Sequence, residues 1–169
     1  MFLDFLNIDK VRRAILYAFL LAALYLFQNY YLSHLRPFGV AAIIAPAAVV
    51  VISMFEGGIW GAAFGLIAGF LGDLGYSENL VLFTVLFPVL GLASGLMADH
   101  VVDKSFLAFL FLDILMLLFI SFCQMLGPWI DSGSFGPVCK IALLQVLWSL
   151  PFTLPVYFIG RELALRNFG

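Results

Sequence analysis

The chain is predicted to be all-α, a polytopic membrane protein with six transmembrane helices, and three features of its 169 residues predict it. Hydrophobic side chains make up 64% of the sequence and charged ones 11%, against roughly 45–50% and about 25% in soluble domains. A fold in water would have nowhere to put that apolar surface. Runs approaching the ~20 apolar residues needed to cross the hydrocarbon core recur along the whole chain. The breaks between them are short, polar and rich in glycine and proline, as turns require.

Residues 1–13 (MFLDFLNIDKVRR) interleave Phe2, Leu3, Phe5, Leu6 and Ile8 with Asp4, Asn7, Asp9 and Lys10, the pattern of a segment lying at the headgroup boundary. The first span follows over residues 14–32. It is too long for a signal sequence and lacks a small-residue cleavage site, so it is read as retained. It ends in Gln28, Asn29, Tyr30 and Tyr31, which suit either an interfacial belt or the wall of an outward-facing pocket. The turn Ser33-His34-Leu35-Arg36-Pro37 leads to a second span, residues 38–55, with Pro46 near its middle. Glu56-Gly57-Gly58 closes that span. A short third span covers residues 59–74, a fourth residues 80–98 with Pro88 inside, and a fifth residues 106–126. Gly127-Pro128 and the run Asp131-Ser132-Gly133-Ser134 are expected to break the chain before a sixth span over residues 138–159, kinked by Pro151 and Pro155. Residues 14–160 thus form one membrane domain, and residues 161–169 a short tail.

Six spans put both termini on one side. Lys10, Arg12, Arg13, Lys104, Arg161 and Arg166 fall on that side, against Arg36 and Lys140 on the other, so the positive-inside rule makes the termini cytoplasmic. The eight basic residues form no patch that could neutralise a nucleic-acid backbone, so no nucleic-acid partner is expected. Cys123 and Cys139 belong to no metal-binding or disulfide pattern and are read as packing residues. No motif marks an enzyme: His34 and His100 sit at helix ends, and paired carboxylates or a nucleophile with its base are not legible. No cofactor is expected.

The strongest local pattern lies in the third span, where Gly57, Gly61, Gly65 and Gly69 recur every four residues and Asp73 continues the row. Within lipid, small residues let helix backbones approach and gain dispersion contacts. Gly91 and Gly95 give the fourth span a matching groove, and Ala41 and Ala45 give one to the second. The row either packs the bundle or docks a partner helix. Asp73, at the helix end, is either a simple boundary residue at the interface or a functional one, and could also accept hydrogen bonds from nearby amides. Asp113 lies inside the fifth span, where an ionised carboxylate costs about 2.5–3.5 kcal/mol on insertion scales. Protonation, a bond to Gln145 of the sixth span, or a partner chain would offset that cost.

Arg36-Pro37 opening the second span, the run Gly61, Gly65, Gly69 and Asp73, the intramembrane Asp113, and the ending Val146-Leu147-Trp148-Ser149-Leu150-Pro151 before a basic tail together resemble the MreD family of the bacterial rod-shape-determining system. The resemblance extends from about Arg36 to Arg166. In one departure, the family commonly has a Leu-Gly pair several residues after its Asp, whereas here Tyr76-Ser77-Glu78-Asn79 runs directly into the fourth span without it. The resemblance implies a non-catalytic scaffold in the bacterial inner membrane. It would bind the bitopic protein MreC and link the MreB filament to the peptidoglycan synthases of cell elongation. The six-span layout with small-residue helix faces is also similar to the substrate-binding subunits of energy-coupling-factor vitamin transporters. A closed polar pocket on the outer side would distinguish that alternative.

Overall fold

The computed structural model describes residues 8–32, 34, 40–75, 82–100, 105–133 and 135–165. These are helical almost throughout, with no strand among the described residues: α1 (Ile8–Phe27), α2 (Ala45–Glu56), α3 (Gly58–Gly75), α4 (Leu82–His100), α5 (Phe106–Ser132) and α6 (Phe135–Leu165). Four stretches are long and apolar enough to cross a membrane: Lys10–Leu32, Leu82–Asp99, Phe106–Leu126 and Cys139–Leu165. α2 and α3 are shorter apolar helices.

The organising element is α2. Every residue from Ala47 to Met54 is fully buried, and α2 touches all five other helices, which form a ring around it in the order α1, α3, α4, α5, α6. Its sequence, APAAVVVISMFE, has no polar stripe, which is the signature of a helix enclosed on every side. Small and β-branched side chains keep it slim, so five neighbours can reach it. Around the ring, α3 packs most extensively on α4, and α5 on α6.

The expected second span differs from the observed one in its first half. The helix begins at Ala45, with Pro46 in its first turn, and residues 40–44 are non-helical although Val40, Ala42, Ile43 and Ile44 are buried. The cause is local. Pro46 has no N–H for the carbonyl four residues back, and its ring crowds that carbonyl, so proline starts a helix better than it continues one. Irregular backbone at membrane depth persists only when protein satisfies its polar groups. Here Gln28 Oε1 accepts from Ile44 N (2.9 Å) and Ala45 N (3.3 Å), and Ser149 Oγ accepts from Ile43 N (2.9 Å). Gln28 therefore turns inward as the cap of α2, whereas Tyr30 and Tyr31 remain exposed, Tyr31 stacked on Phe27. To supply this, the end of α1 widens into a π-helical turn over Gln28–Leu32. Replacing Gln28 by leucine strands two buried amides and is expected to cost about 1–3 kcal/mol. Gln28→Glu, which keeps the acceptor, should lose less. Thermal unfolding of the two purified variants in one detergent would rank them.

Other boundaries differ as well. α1 already includes residues 8–13, so part of the segment read as interfacial continues the first helix. No break occurs at Gly127-Pro128: α5 runs to Ser132 and stops at Gly133, whose φ of 64° closes a bond from its N–H to Trp129 O (2.9 Å). A proline inside a helix removes one hydrogen bond and disfavours helical backbone in the residue before it. With glycine at that preceding position, the steric part is smallest. α6 is longer than expected at both ends. Pro137 falls in its first turn, where proline is tolerated, and the helix continues through Arg161 and Glu162, residues first read as tail.

Candidate functional site

The glycine row joins α3 to α4. The two helices run antiparallel and so close that a methyl group on Gly65 would stand 2.6 Å from Phe87 O, and one on Gly61 2.7 Å from Gly91 O. A methyl on Gly69 would collide with the Phe83 carbonyl, and on Gly95 with the backbone of Gly58. Gly91 answers Gly61 across the seam: a methyl group on Gly91 would stand 2.5 Å from Gly61 O. The small faces of α3 and α4 are therefore consumed within the bundle, against each other and, at Gly61, against Ser53 of α2. Gly57 departs from the row: nothing lies within 4 Å of the space its side chain would fill, and its φ of 99° makes it the turn between α2 and α3. One polar contact crosses the same region, Ser53 Oγ to Ser94 Oγ at 2.7 Å, linking α2 to α4.

Asp73 completes the unit. It accepts from Phe83 N (3.0 Å), Thr84 N (2.8 Å) and Thr84 Oγ1 (2.6 Å), so the carboxylate at the end of α3 caps the start of α4. The first N–H groups of a helix have no partner within it, and a carboxylate there gains from both the hydrogen bonds and the helix dipole.

The opposite end of the α2–α3 turn is tied to α1. Arg13 meets Glu56 at 3.1 Å, and Tyr17 Oη donates to the same carboxylate oxygen at 3.4 Å. These contacts set the start of α1 beside the end of α2.

Asp113 is completely buried, and neither of its oxygens has a hydrogen bond among the described residues. The bond to Gln145 considered from the sequence is not formed. Gln145 instead donates from Nε2 to Ala41 O at 3.4 Å, in the non-helical segment. The polar neighbour of Asp113 is Thr153, whose own hydroxyl donates to Leu150 O at 2.9 Å. Phe109 against Tyr157 (ring centroids 4.8 Å apart) and Asp113 beside Thr153 fix the antiparallel register of α5 on α6. That register sets Ser121 level with Gln145, two turns away. Gln145, Ser149 and Thr153 thus form one buried row on α6, and Ser121 Oγ and Gln145 Oε1 have no partner among the described residues.

Arg36 and Pro37 lie outside the described residues, as do Lys104 and Arg166. Cys123 is half-buried and Cys139 exposed, both as free thiols, so Cys139 is not the packing residue it was read as. Among the described residues no three His, Cys, Asp or Glu side chains are grouped as metal ligands.

Gly160 was missed by the sequence reading. A methyl group there would collide with Val51 Cγ1, so α6 crosses α2 at this glycine. The only signal was its smallness in a large-residue run, Tyr157-Phe158-Ile159-Gly160. Gly160→Ala is expected to destabilise the protein by about 1–3 kcal/mol, as overpacking does. Adding Val51→Ala should return part of that loss, because the two changes share one contact. Unfolding midpoints of the single and double variants would measure the coupling.

Compared with protein-family models, with curated proteins and with solved structures, the chain matches none.

Proposed function

We propose that the chain is a non-catalytic scaffold of the bacterial cell-elongation machinery, spanning the inner membrane six times with both termini in the cytoplasm. In this reading it binds an MreC-like bitopic protein and, through it, MreB filaments and cell-wall synthases. The proposal rests on the resemblance to MreD. The observation that carries it is that Gly61, Gly65, Gly69 and Asp73, the core of that resemblance, act as one unit, zipping α3 to α4 and capping α4.

Six crossings need both shorter apolar helices, α2 and α3, to count, and α2 is the shorter of the two. Its 12 helical residues cover about 18 Å at 1.5 Å per residue. Ile44 before it is still in the helical region, and the four residues ahead of that add at most ~13 Å at strand-like rise, enough together for a ~30 Å core. The contacts of Arg13 and Tyr17 with Glu56 support the same crossing, because they bring the start of α1 and the end of α2 to one level.

The partner surface in this reading is apolar. Leu107, Phe111, Leu115, Phe119 and Phe122 form an exposed row along α5, on which a single transmembrane helix could lie. Affinity purification of the tagged protein in mild detergent from its native membrane, with mass spectrometry of what accompanies it, tests the proposal. Recovery of a bitopic coiled-coil protein together with cell-wall synthases is the expected result. Recovery of paired ATPases and a transmembrane coupling subunit would replace it with the vitamin-transport alternative.

A further inference from the structure

We infer that Asp113 is a buried proton-binding site, held as the neutral acid between α5 and α6 and reached along the Gln145–Ser149–Thr153 row from the end of the bundle away from Glu56 and Arg161. The argument is independent of the partner proposed above. An ionised carboxylate buried from water persists only beside a cation or several donors, and among the described residues Asp113 has neither, its polar neighbour being the single hydroxyl of Thr153. Of the helices packed against α5, α2 carries no ionisable group before Glu56 at its end. α4 carries only Asp99 and His100, likewise at its end. On α6 the ionisable group within one turn of Thr153 is Tyr157, and Cys139, Lys140, Arg161 and Glu162 lie nearer its two ends. The neighbouring hydroxyl is the one donor at hand, and its single hydrogen is shared with Leu150 O at 2.9 Å, too little to hold a buried carboxylate ionised. It retains lone pairs. A protonated Asp113 can donate to them, completing a chain from the acid O–H through Thr153 Oγ1 to the Leu150 carbonyl, which an ionised Asp113 cannot do.

The two ends of this site differ. Towards the ends of α2 and α6 where Glu56 and Arg161 lie, Tyr157 is packed among Phe109 (4.8 Å between ring centroids), Phe106 (5.3 Å) and Phe55 (6.4 Å). This aromatic plug excludes polar passage. In the other direction, Ser149 lies one turn from Thr153, donating to Gln145 O (2.8 Å) and accepting from Ile43 N. Gln145 and Ser121 follow one turn further on, each with a buried oxygen that has no partner among the described residues. Donors and acceptors at successive turns of one helix face are the elements of a proton path.

The test is infrared spectroscopy of the full chain in lipid nanodiscs at neutral pH. The expected spectrum contains the carbonyl stretch of a protonated carboxylic acid that disappears in Asp113→Asn. On transfer to heavy water the band shifts, and it shifts severalfold more slowly in Gln145→Leu, but at the wild-type rate in Tyr157→Phe, which keeps the plug. If Gln145→Leu does not fold, Ser121→Val blocks the same level and replaces it. Absence of an Asp113-dependent acid band in the wild type would overturn the proton site. Exchange unaffected by either blocking variant would overturn the route.

Discussion

Gly65→Leu is expected to leave little folded protein in the membrane. The Cβ alone would stand 2.6 Å from Phe87 O and 2.8 Å from the Phe87 carbonyl carbon. Both are backbone atoms of α4, so no rotamer change relieves the overlap; α3 and α4 must separate. Separation forfeits the dispersion contacts along the whole seam, which in lipid are the main force holding two apolar helices together. It also draws Asp73 away from the amides it caps. Overpacking a core by single methylenes typically costs about 1–3 kcal/mol, and four heavy atoms wedged against backbone should exceed that range. The matched control is Gly136→Leu, at a glycine with nothing within 4 Å. It should accumulate like the wild type. Quantifying detergent-soluble monodisperse protein for both variants by size-exclusion chromatography would test the seam, and equal yields would refute it.

The second large effect is expected at Asp73. Removing its carboxylate by Asp73→Ala leaves Phe83 N and Thr84 N without their acceptor. A hydrogen bond to a charged group is worth about 1.5–3 kcal/mol, and an N-cap lost to alanine about 0.5–2 kcal/mol. These are two descriptions of one interaction, so a loss near 2–3 kcal/mol is expected rather than their sum. Asp73→Asn keeps one acceptor and should fall between. The local signature is faster amide exchange at Phe83 and Thr84, with the centre of α2 unchanged; uniform acceleration throughout would mean that Asp73 supports the whole bundle.

Much of this hairpin is legible in the sequence. The four-residue glycine spacing, the groove of Gly91 and Gly95, and an aspartate at the helix end are periodic signals, and periodicity survives without knowledge of the partner. Gly57 breaks the inference because spacing cannot tell a packing glycine from a turn glycine; only its positive φ does. The start of α2 is not legible for a related reason. Residues 38–44 are as apolar as those that follow, and Pro46 is compatible with a kink or a start. The choice is decided by Gln28 and Ser149, acceptors 16 and 106 positions away in the chain. Asp113 stands out in the sequence by its cost, but its neighbour does not. Gln145 is the more obvious hydrogen-bonding partner by chemistry, whereas the register of α5 on α6 brings Thr153 to it. Gly160, one glycine among large residues, gave no periodic signal at all.

The account depends most on α2 as a crossing, since its 12 helical residues alone do not span a bilayer. Labelling from each side of the membrane tests it directly, using single cysteines in a background with Cys123 and Cys139 replaced by alanine. Cysteines at Lys10, Gly57, Ser105 and Glu162 should react with a membrane-impermeant reagent from one side only. Those at His34 and Gly133 should react from the other. His34 and Gly57 labelled from the same side would mean that the chain between them turns back without crossing, and would contradict the six-crossing account.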